Sequence, residues 1–321
     1  MAQAPVVSVV IPTRNRWAVL QRALLAATSQ QGVDLEVLVV DDGSTDGTPA
    51  RVEELDDERV RVIRRRTSGG PGAARNAGIA AAKGQWIAFL DDDDLWSPRK
   101  LRAQLDAATA AGVAMVYADA IALDDELRVI EALPGPDPSD LADALMLGGA
   151  IPAGSSNVMM NATLIEQLGG FDERLSQLAD WDLWIRAATT AESARSPEVL
   201  VGYVHHAASM MTGQVRALRK EFGYLRKKHR DVARGRAQGF DPAGFERWIG
   251  WGESRAGSRG RAASRYLSAA ARYVVTAHPF AAGRSVRDAG RALRGQGLTT
   301  TGFPRDRGTA TPDWVAAYEG I

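Results

Sequence analysis

The chain has 321 residues, of which 45% are hydrophobic and 24% are charged, and it contains no cysteine. This length suits one large globular domain or two smaller ones, and the missing cysteines exclude disulfides, thiolate nucleophiles and cysteine-ligated zinc, so a metal would need oxygen or imidazole ligands. No stretch has the roughly 18 uncharged apolar residues of a membrane-spanning helix and no basic segment precedes the first apolar run, which predicts a soluble, cytoplasmic protein.

The formal net charge of zero conceals two regions of opposite sign. Residues 1–213 hold 18 Lys and Arg against 30 Asp and Glu, a net charge of −12, whereas residues 214–321 hold 21 against 9, a net charge of +12. We therefore expect the two regions to do different jobs. The predicted domains are a first domain over 1–213, a basic helical region over 214–294, and a tail over 295–321 that is irregular except for a short helix within DWVAAYEG.

In chain order, the first domain alternates β-branched apolar runs with helical patterns. Strands are predicted over 6–13, 35–42, 60–65, 85–90 and 152–160, and helices over 16–30, 48–57, 73–84, 98–111 and 180–190. This alternation predicts an α/β fold, with a mainly parallel sheet covered by helices on both faces. In such sheets ligands bind where the strands end at their carboxyl edge.

Polar residues follow three of these strands. The first strand ends in Pro12, Thr13 and Arg14, the second in DDGSTDGT (41–48) and the fourth in DDDD (91–94). Carboxylates gathered on one rim without a cation would raise each other's pKa and destabilise the fold, which favours a divalent metal. The plainer alternatives are a solvated acidic turn for DDDD and a helix-capping turn for DDGSTDGT.

Five segments in order resemble the family 2 glycosyltransferases, which are inverting enzymes with a GT-A fold. The segments, between about residues 6 and 211, are VSVVIPTRNR, VLVVDDGSTDGT, GGPGAARNAG, WIAFLDDDDLW and GGFDERLSQLADWDLWIR. The resemblance implies metal-dependent transfer of a sugar, from a UDP-sugar by preference, to an acceptor hydroxyl in polysaccharide, glycolipid or cell-surface glycan synthesis. It implies Mn²⁺ or Mg²⁺ as the cofactor, because such an ion bridges the two phosphates of the leaving group.

On the donor side, the resemblance assigns roles residue by residue. Asp93 in the Asp-x-Asp motif is expected to ligate the metal, and Asp91 or Asp92 to contact the sugar or ribose. Asp42 is expected to accept the ring N–H of uracil or thymine. The remaining expected donor-binding residues are Pro12, Thr13 and Arg14 around the base, and Arg75 near the nucleotide or phosphates.

On the acceptor side, Asp180 is the expected general base, which takes the proton of the acceptor hydroxyl. The family's Glu-Asp pair aligns here with Ala179-Asp180, and Asp182 is the rival carboxylate. Ser155 and Trp181 are expected along the acceptor wall. In YVHHAASMM (203–211), His206 matches the family's histidine and is expected to complete the metal coordination or contact a phosphate.

Beyond residue 213, helical patterns extend over 214–230, 242–254, 258–276 and 279–294. These basic helices can contact anionic lipid on the inner membrane face, a lipid-diphosphate acceptor or a polyanionic glycan. A helical cap or a dimer surface with solvated charge is an equal alternative, and no nucleic-acid-binding motif is present.

Two other classes of function stay open. A nucleotidyltransferase that makes nucleotide sugars would need a basic glycine-rich signature after the first strand, and PTRNR has no glycine. A binding module without turnover would be expected to lack the base or the metal ligand, whereas Asp93 and Asp180 are both present.

Overall fold

The computed structural model describes residues 5–205, 215–236, 239–276, 278–296 and 310–321, and these form two compact units. The first unit comprises the described residues of Met1–Ala142, Gly149–Val204 and Thr309–Ile321. The second comprises those of Asp143–Gly148 and His205–Gly308. Among the described helices, none has both the length and the apolar character needed to cross a bilayer.

The first unit is an α/β fold, as the alternating sequence pattern predicts. Its strands are β1 (Val7–Thr13), β2 (Leu35–Asp41), β3 (Val60–Arg64), β4 (Trp86–Phe89), β5 (Leu95–Trp96), β6 (Met115–Leu123), β7 (Val129–Leu133), β8 (Met159–Asn161) and β9 (Ser193–Val204). Its helices are α1 (Trp17–Thr28), α2 (Thr48–Glu53), α3 (Gly70–Ala81), α4 (Lys100–Ala111), α6 (Ala162–Leu168) and α7 (Ala179–Thr190), while α5 (Leu141–Leu147) runs from this unit into the second.

The nine described strands form one sheet in the order β3-β2-β1-β4-β8-β6-β9-β5, with β7 paired to β6. The four strands β3, β2, β1 and β4 are parallel to one another. All residues of β1 and β2 are buried, as expected for parallel strands covered on both faces. The far half is mixed, because β8 is antiparallel to β4 and β6.

The carboxyl ends of β1, β2 and β4 meet at one edge. Thr13 pairs with Asp41 in the register of β1 and β2, and the N–H of Leu90 donates to the carbonyl of Val10 at 3.0 Å. Helix α3 packs directly on this part of the sheet at Gly78, where a Cβ would lie only 2.4 Å from the side chain of Val10. The tight packing places the start of α3 beside the strand ends.

Several predicted elements differ in extent or type from those observed. Strands β5, β6, β7 and β9 have no counterpart among the predicted strands, since β5 is very short and β6 is rich in alanine. The strand predicted over 152–160 is a 3-10 turn, Gly154–Asn157, followed by β8. Asn157 explains the turn. Its Oδ1 accepts from the N–H of Ala118 and its Nδ2 donates to the C=O of Ala118, at 2.7 Å each. These side-chain bonds occupy groups of β6 that a paired strand would otherwise use.

Residues 310–321, inside the tail predicted to be irregular, pack as part of the first unit. They contain a 3-10 helix, Asp313–Tyr318, as the pattern of DWVAAYEG allows. The buried Tyr318 hydroxyl donates to the carbonyl of Trp96 at 2.6 Å, and Trp314 Nε1 donates to the carbonyl of Val199 at 3.3 Å. This C-terminal segment therefore supports β5 and β9.

The second unit is helical, and its described helices fall where the sequence predicts them, except for the short α9, which was not predicted. They are α8 (Val215–Lys228), α9 (Arg230–Arg234), α10 (Pro242–Arg255), α11 (Arg259–Val275) and α12 (Pro279–Leu293). Small residues let α10, α11 and α12 pack closely around Trp251 and Tyr266, and the rings of Phe222 and Phe245 stack at 3.9 Å. The predicted basic helical region after the α/β fold is confirmed.

Candidate active site

The four consecutive aspartates form a turn between β4 and β5, closed by the N–H of Asp94 donating to the carbonyl of Asp91 at 3.2 Å. We call Asp91–Asp94 the aspartate turn. Arg16, at the start of α1, lies across it, with Nη1 at 3.0 Å from Asp92 and Nη2 at 2.7 Å from Asp93. A protein cation thus offsets part of the like-charge repulsion within the turn.

Asp92 is the buried residue on the side of the turn that faces β1. Thr13 Oγ1 donates to its carboxylate at 2.7 Å, and only 5% of the residue is exposed. Burial raises the pKa of Asp92 to about 7, assisted by the charge of Asp93 and opposed by Arg16 and Thr13. The predicted donor-site residues Thr13 and Asp92 are therefore in direct contact with each other.

Asp94 anchors the turn to the rest of the sheet. Its carboxyl group is completely buried and accepts from Ser156 Oγ at 2.5 Å and from the N–H of Val204, at the end of β9, at 3.1 Å. Burial raises the pKa of Asp94 well above its ordinary value, and the charges of Asp93 and Asp91 add to that rise. Asp94 thus has a structural role.

Arg75, on α3, makes an ion pair with Asp91, and its guanidinium lies 5.4 Å from the ring centroid of Phe171. The arginine is 6% exposed, and its Nε has no hydrogen-bond partner in the described part of the chain. A buried guanidinium with a spare donor beside an acidic turn is suited to binding a phosphate oxygen. The structure therefore brings the predicted residues Arg75 and Asp91 together.

Asp42, after β2, is enclosed by the loop that leads into α3. Its carboxylate accepts from Ser68 Oγ at 2.7 Å and from the N–H groups of Gly69 at 3.1 Å and Gly70 at 2.8 Å, and it pairs with Arg65. Burial alone would raise the pKa of Asp42, but the bonds from Ser68, Gly69 and Gly70 lower it below its ordinary value. A base N–H could reach this carboxylate only by displacing one of these donors, since a carboxylate accepts about four hydrogen bonds.

Asn15 connects the loops that follow β1 and β2, a role that sequence reasoning missed. Its backbone has φ of 54°, in the left-handed region that asparagine tolerates better than most residues. Its N–H donates to Ser44 Oγ at 2.8 Å, and its Oδ1 accepts from the N–H of Thr45 at 2.7 Å. Next to it, Arg14 Nη1 donates to Ser68 Oγ at 3.2 Å, so Pro12, Thr13 and Arg14 lead into the loop that surrounds Asp42.

Asp180, at the start of α7, lies over the 3-10 turn at Gly154. A Cβ on Gly154 would stand 2.7 Å from Asp180 Oδ2, and Gly154 has φ of +48°. Burial raises the pKa of Asp180, while Arg75 and the N–H of Trp181 lower it and Asp91 raises it. The mutual influence of Asp180, Arg75 and Asp91 indicates that the expected base lies near the aspartate turn.

The other residues expected on the acceptor side are buried. Ser155 is 1% exposed, and its Oγ has no hydrogen-bond partner in the described chain. Trp181 is 5% exposed and Trp184 2%, so their rings offer little surface for stacking on a sugar. Asp182 is fully buried and pairs with Arg186 at 2.8 Å, one helical turn further on, which is the arrangement of a structural ion pair.

Of the two expected metal ligands, Asp93 belongs to the described part of the chain and His206 lies outside it. Asp93 and Asp91 keep 19% and 34% of their side-chain surface exposed. Over the described ranges, no three His, Asp or Glu side chains converge into a ready-made cage. One or two carboxylates completed by substrate phosphates is the usual donor set for Mg²⁺, so Asp91 and Asp93 fit an ion that enters with a diphosphate.

Comparisons with known proteins agree with this geometry. Residues 8–161 match the family model described as glycosyl transferase family 2. A succinoglycan biosynthesis protein, ExoO, of Rhizobium meliloti (strain 1021) is 46% identical over 124 residues, which are 38% of this chain and 36% of that protein. An Escherichia coli protein, UDP-Glc:alpha-D-GlcNAc-diphosphoundecaprenol beta-1,3-glucosyltransferase WfgD, is 32% identical over 111 residues, which are 35% of this chain and 44% of that protein.

Among solved structures, the mannosyltransferase PcManGT from Pyrobaculum calidifontis, in complex with GDP-Man and Mn²⁺, has a similar fold. The TM-score is 0.53 at 20% identity, over 91% of this chain and 86% of that one. The alignments with the two bacterial relatives span less than half of each relative's length. The predicted GT-A type of α/β fold is confirmed, and the family resemblance is confirmed over 8–161, a shorter span than the motifs suggest.

Proposed function

From the match of residues 8–161 to the glycosyl transferase family 2 model, we propose that the protein transfers a sugar from a nucleoside diphosphate donor to an acceptor hydroxyl. We further propose a UDP-sugar as the donor, inversion at the anomeric carbon, and a divalent metal as cofactor. The acceptor is proposed to belong to polysaccharide or lipid-linked glycan synthesis, the setting named for the bacterial relatives.

The observation that carries the proposal is the meeting of anionic and cationic groups at one sheet edge. Asp91 pairs with Arg75, and both Asp92 and Asp93 pair with Arg16, within the turn that follows β4. Each arginine is positioned to exchange its carboxylate for a donor phosphate, which would free Asp91 and Asp93 for a cation. A cation bound there would stabilise the negative charge that develops on the departing diphosphate.

The proposed base is Asp180, whose neighbourhood suits proton transfer. Burial raises its pKa, which makes the carboxylate a better proton acceptor, and the charge of the nearby Arg75 opposes that rise. A base on the face opposite the leaving group is what direct displacement with inversion requires. Asp182, Trp181 and Ser155 are proposed as support for this wall, through burial and the Arg186 ion pair of Asp182.

The nucleobase is proposed to bind between the segment Pro12–Arg14 and the loop that holds Asp42. Asp42 already accepts from Ser68, Gly69 and Gly70, so contact with uracil would replace one of these loop donors. His206 remains a proposed metal or phosphate ligand on the basis of the family motif alone.

The decisive experiment measures donor binding and turnover on the same preparation. Isothermal titration with UDP and GDP, each with Mn²⁺ and with EDTA, should show tighter binding of UDP that depends on the metal. Asp180→Asn should keep that binding and lose transfer by about 10²- to 10⁴-fold. Equal activity in Asp180→Asn and the parent would remove Asp180 as the base, and the absence of binding by any nucleoside diphosphate would refute the proposed function.

A further inference from the structure

The most exposed large apolar side chains of the described chain lie at the connection between α11 and α12. Val274 is 67% exposed, Val275 85% and Phe280 91%. We call these three residues the hairpin tip. By contrast, the exposed large apolar residues of the first unit, such as Leu25 at 36% and Leu55 at 39%, are only partly uncovered. Water is a poor environment for a phenylalanine and two valines so close in sequence, so a partner is expected for this tip.

The exposed apolar surface continues along both helices. Leu267 on α11 is 51% exposed, and Val286 and Leu293 on α12 are 53% and 58% exposed. Leu267 and Val274 are seven residues apart, as are Val286 and Leu293, so each pair shares one helix face. The neighbouring face of each helix packs within the unit, where Ala270 on α11 and Ala289 on α12, three residues after Leu267 and Val286, are buried. Each helix is therefore amphipathic, with an apolar edge that its own unit does not cover.

Arginines lie beside this apolar edge, on the side away from the packed alanines. Within the described residues, no ion pair is made by five of them: Arg272, Arg284, Arg287, Arg291 and Arg294. The one acidic residue of α11 and α12, Asp288, is paired with Arg247 of α10 at 2.9 Å. The hairpin thus combines exposed apolar groups with uncompensated positive charge.

We propose that the α11–α12 hairpin docks on an anionic lipid bilayer, with the hairpin tip entering the boundary between head groups and acyl chains. The free arginines then lie at the depth of the lipid phosphates, where guanidinium groups make strong charge-assisted hydrogen bonds. Phe280 suits this boundary because aromatic rings favour the membrane interface. The proposal deepens the acceptor side of the proposed function, and it rests on that function only for the identity of a membrane-borne acceptor.

The charge distribution favours lipid over the other candidate partners. A two-fold contact between two copies of this face would bring their arginines together, and like charges across an interface are unfavourable. A soluble polyanionic glycan would satisfy the arginines but would leave Val275 and Phe280 in water. An anionic bilayer is the partner that covers both groups at once.

The first test is sedimentation of the full chain with vesicles of phosphatidylcholine alone or of 70:30 phosphatidylcholine and phosphatidylglycerol. Binding is expected to the anionic vesicles and to weaken with salt, since screening shortens the reach of the arginines. Changing Arg284, Arg287, Arg291 and Arg294 to Gln should weaken it by about fivefold for each arginine that lies near the surface. The matched control changes four exposed arginines of the first unit to Gln: Arg64, Arg102, Arg128 and Arg174.

The apolar contribution is tested by a double variant, Val275→Ser with Phe280→Ser, against Leu25→Ser as the control. The double variant should lose at least tenfold in vesicle affinity and keep metal-dependent UDP binding, which separates failure of this inference from failure of the proposed function. Equal affinity of the double variant and the parent would overturn the insertion of the tip.

The depth to which the hairpin tip enters the bilayer can be measured with a dye on a single introduced cysteine, because the chain has no native cysteine that would also react with the dye. Val275→Cys carrying an environment-sensitive nitrobenzoxadiazole dye should shift to the blue and brighten on anionic vesicles, while Thr190→Cys with the same dye should not. Unchanged dye fluorescence at position 275 on anionic vesicles would overturn the proposal. So would a concentration-dependent dimer that is lost in the double variant and does not bind vesicles, because this face would then be a protein interface.

Discussion

The loop after β2 and the turn after β4 both present aspartates at the carboxyl edge of the sheet, but they shift the pKa of these carboxyl groups in opposite directions. Asp42 is surrounded by donors, and its pKa is lowered. Asp92 and Asp94 are as deeply buried but have like-charged neighbours, and their pKa values are raised. The comparison teaches that donors facing a buried carboxylate can outweigh the effect of burial on its pKa, whereas burial together with like-charged neighbours raises that pKa.

The largest effect is expected where the aspartate turn is needed for chemistry. Asp93→Asn removes a charge from the proposed metal site, so transfer should fall by about 10²- to 10³-fold, the cost of losing one group that stabilises developing charge. Steady-state kinetics at saturating Mn²⁺ measure this loss. Asp106→Asn, which removes an exposed carboxylate paired with Arg102, is the control and should retain full activity. Similar activity in both variants would show that the turn does not hold the cation.

The second-largest effect is on stability, where the loop after β2 and the turn after β4 should respond differently. Asp42→Asn should lower the free energy of unfolding at pH 7 by about 2 kcal/mol, because Arg65 loses its buried partner and the loop donors lose a charged acceptor. Asp94→Asn should change it by less than about 1 kcal/mol, since burial already disfavours the charge there. Urea unfolding measures both values. A larger loss in Asp94→Asn than in Asp42→Asn would reverse the comparison.

The pH dependence of unfolding sharpens the same contrast in protein freed of divalent ions. A carboxyl with a raised folded pKa binds more protons in the folded state, so the contribution of Asp92 should decline as the pH rises from about 4 to about 7. Asp42 has a lowered folded pKa, so its contribution is present above about pH 4 and is lost as the pH falls through the folded value.

This difference is measured by urea unfolding at several pH values. Asp92→Asn should flatten the decline between pH 4 and pH 7, an effect on the order of 1–3 kcal/mol. Asp42→Asn should instead flatten the loss on the acid side and leave the decline above pH 4 in place. If both variants alter the same pH range, the two segments do not differ in the way proposed here.

The smallest effect concerns the support behind the aspartate turn. Tyr318→Phe removes the hydrogen bond to the carbonyl of Trp96, in the strand that follows the turn, and should cost about 1 kcal/mol of unfolding free energy. Thermal melting measures this loss. Tyr224→Phe, in the helical unit, is measured alongside it as the same substitution at another tyrosine. A loss of UDP binding greater than twofold in Tyr318→Phe would show that the C-terminal segment also shapes the donor site.

Much of the first unit could be predicted from sequence, because β-branched runs alternate with helical patterns and place Asp42 and Asp91 at strand ends. The two-residue separation of Asp180 and Asp182 also predicts different faces of α7, in keeping with the ion pair of Asp182 with Arg186. The mixed half of the sheet could not be predicted, since its pairing depends on contacts such as those of Asn157 with β6.

The support of the site was equally hidden from the sequence. Asp94 looks identical to its three neighbours in the sequence, and its contacts with Ser156, 62 positions away, and with Val204 distinguish it only in the folded chain. Arg16 and Asn15 act through residues that are brought near by folding, Asp93 and Ser44, and no local pattern marks them. An asparagine two residues after the end of a buried strand was the one available sign of a left-handed turn.

Gly154 limits how this protein can be redesigned. A side chain there would have to adopt a left-handed backbone and would occupy the space of Asp180 Oδ2. Libraries intended to broaden the range of acceptors should therefore keep this glycine fixed and vary Ser155, whose hydroxyl makes no hydrogen bond within the described chain. The same constraint gives a criterion for comparing homologues: one with a bulky residue at this position must place the counterpart of Asp180 in another way.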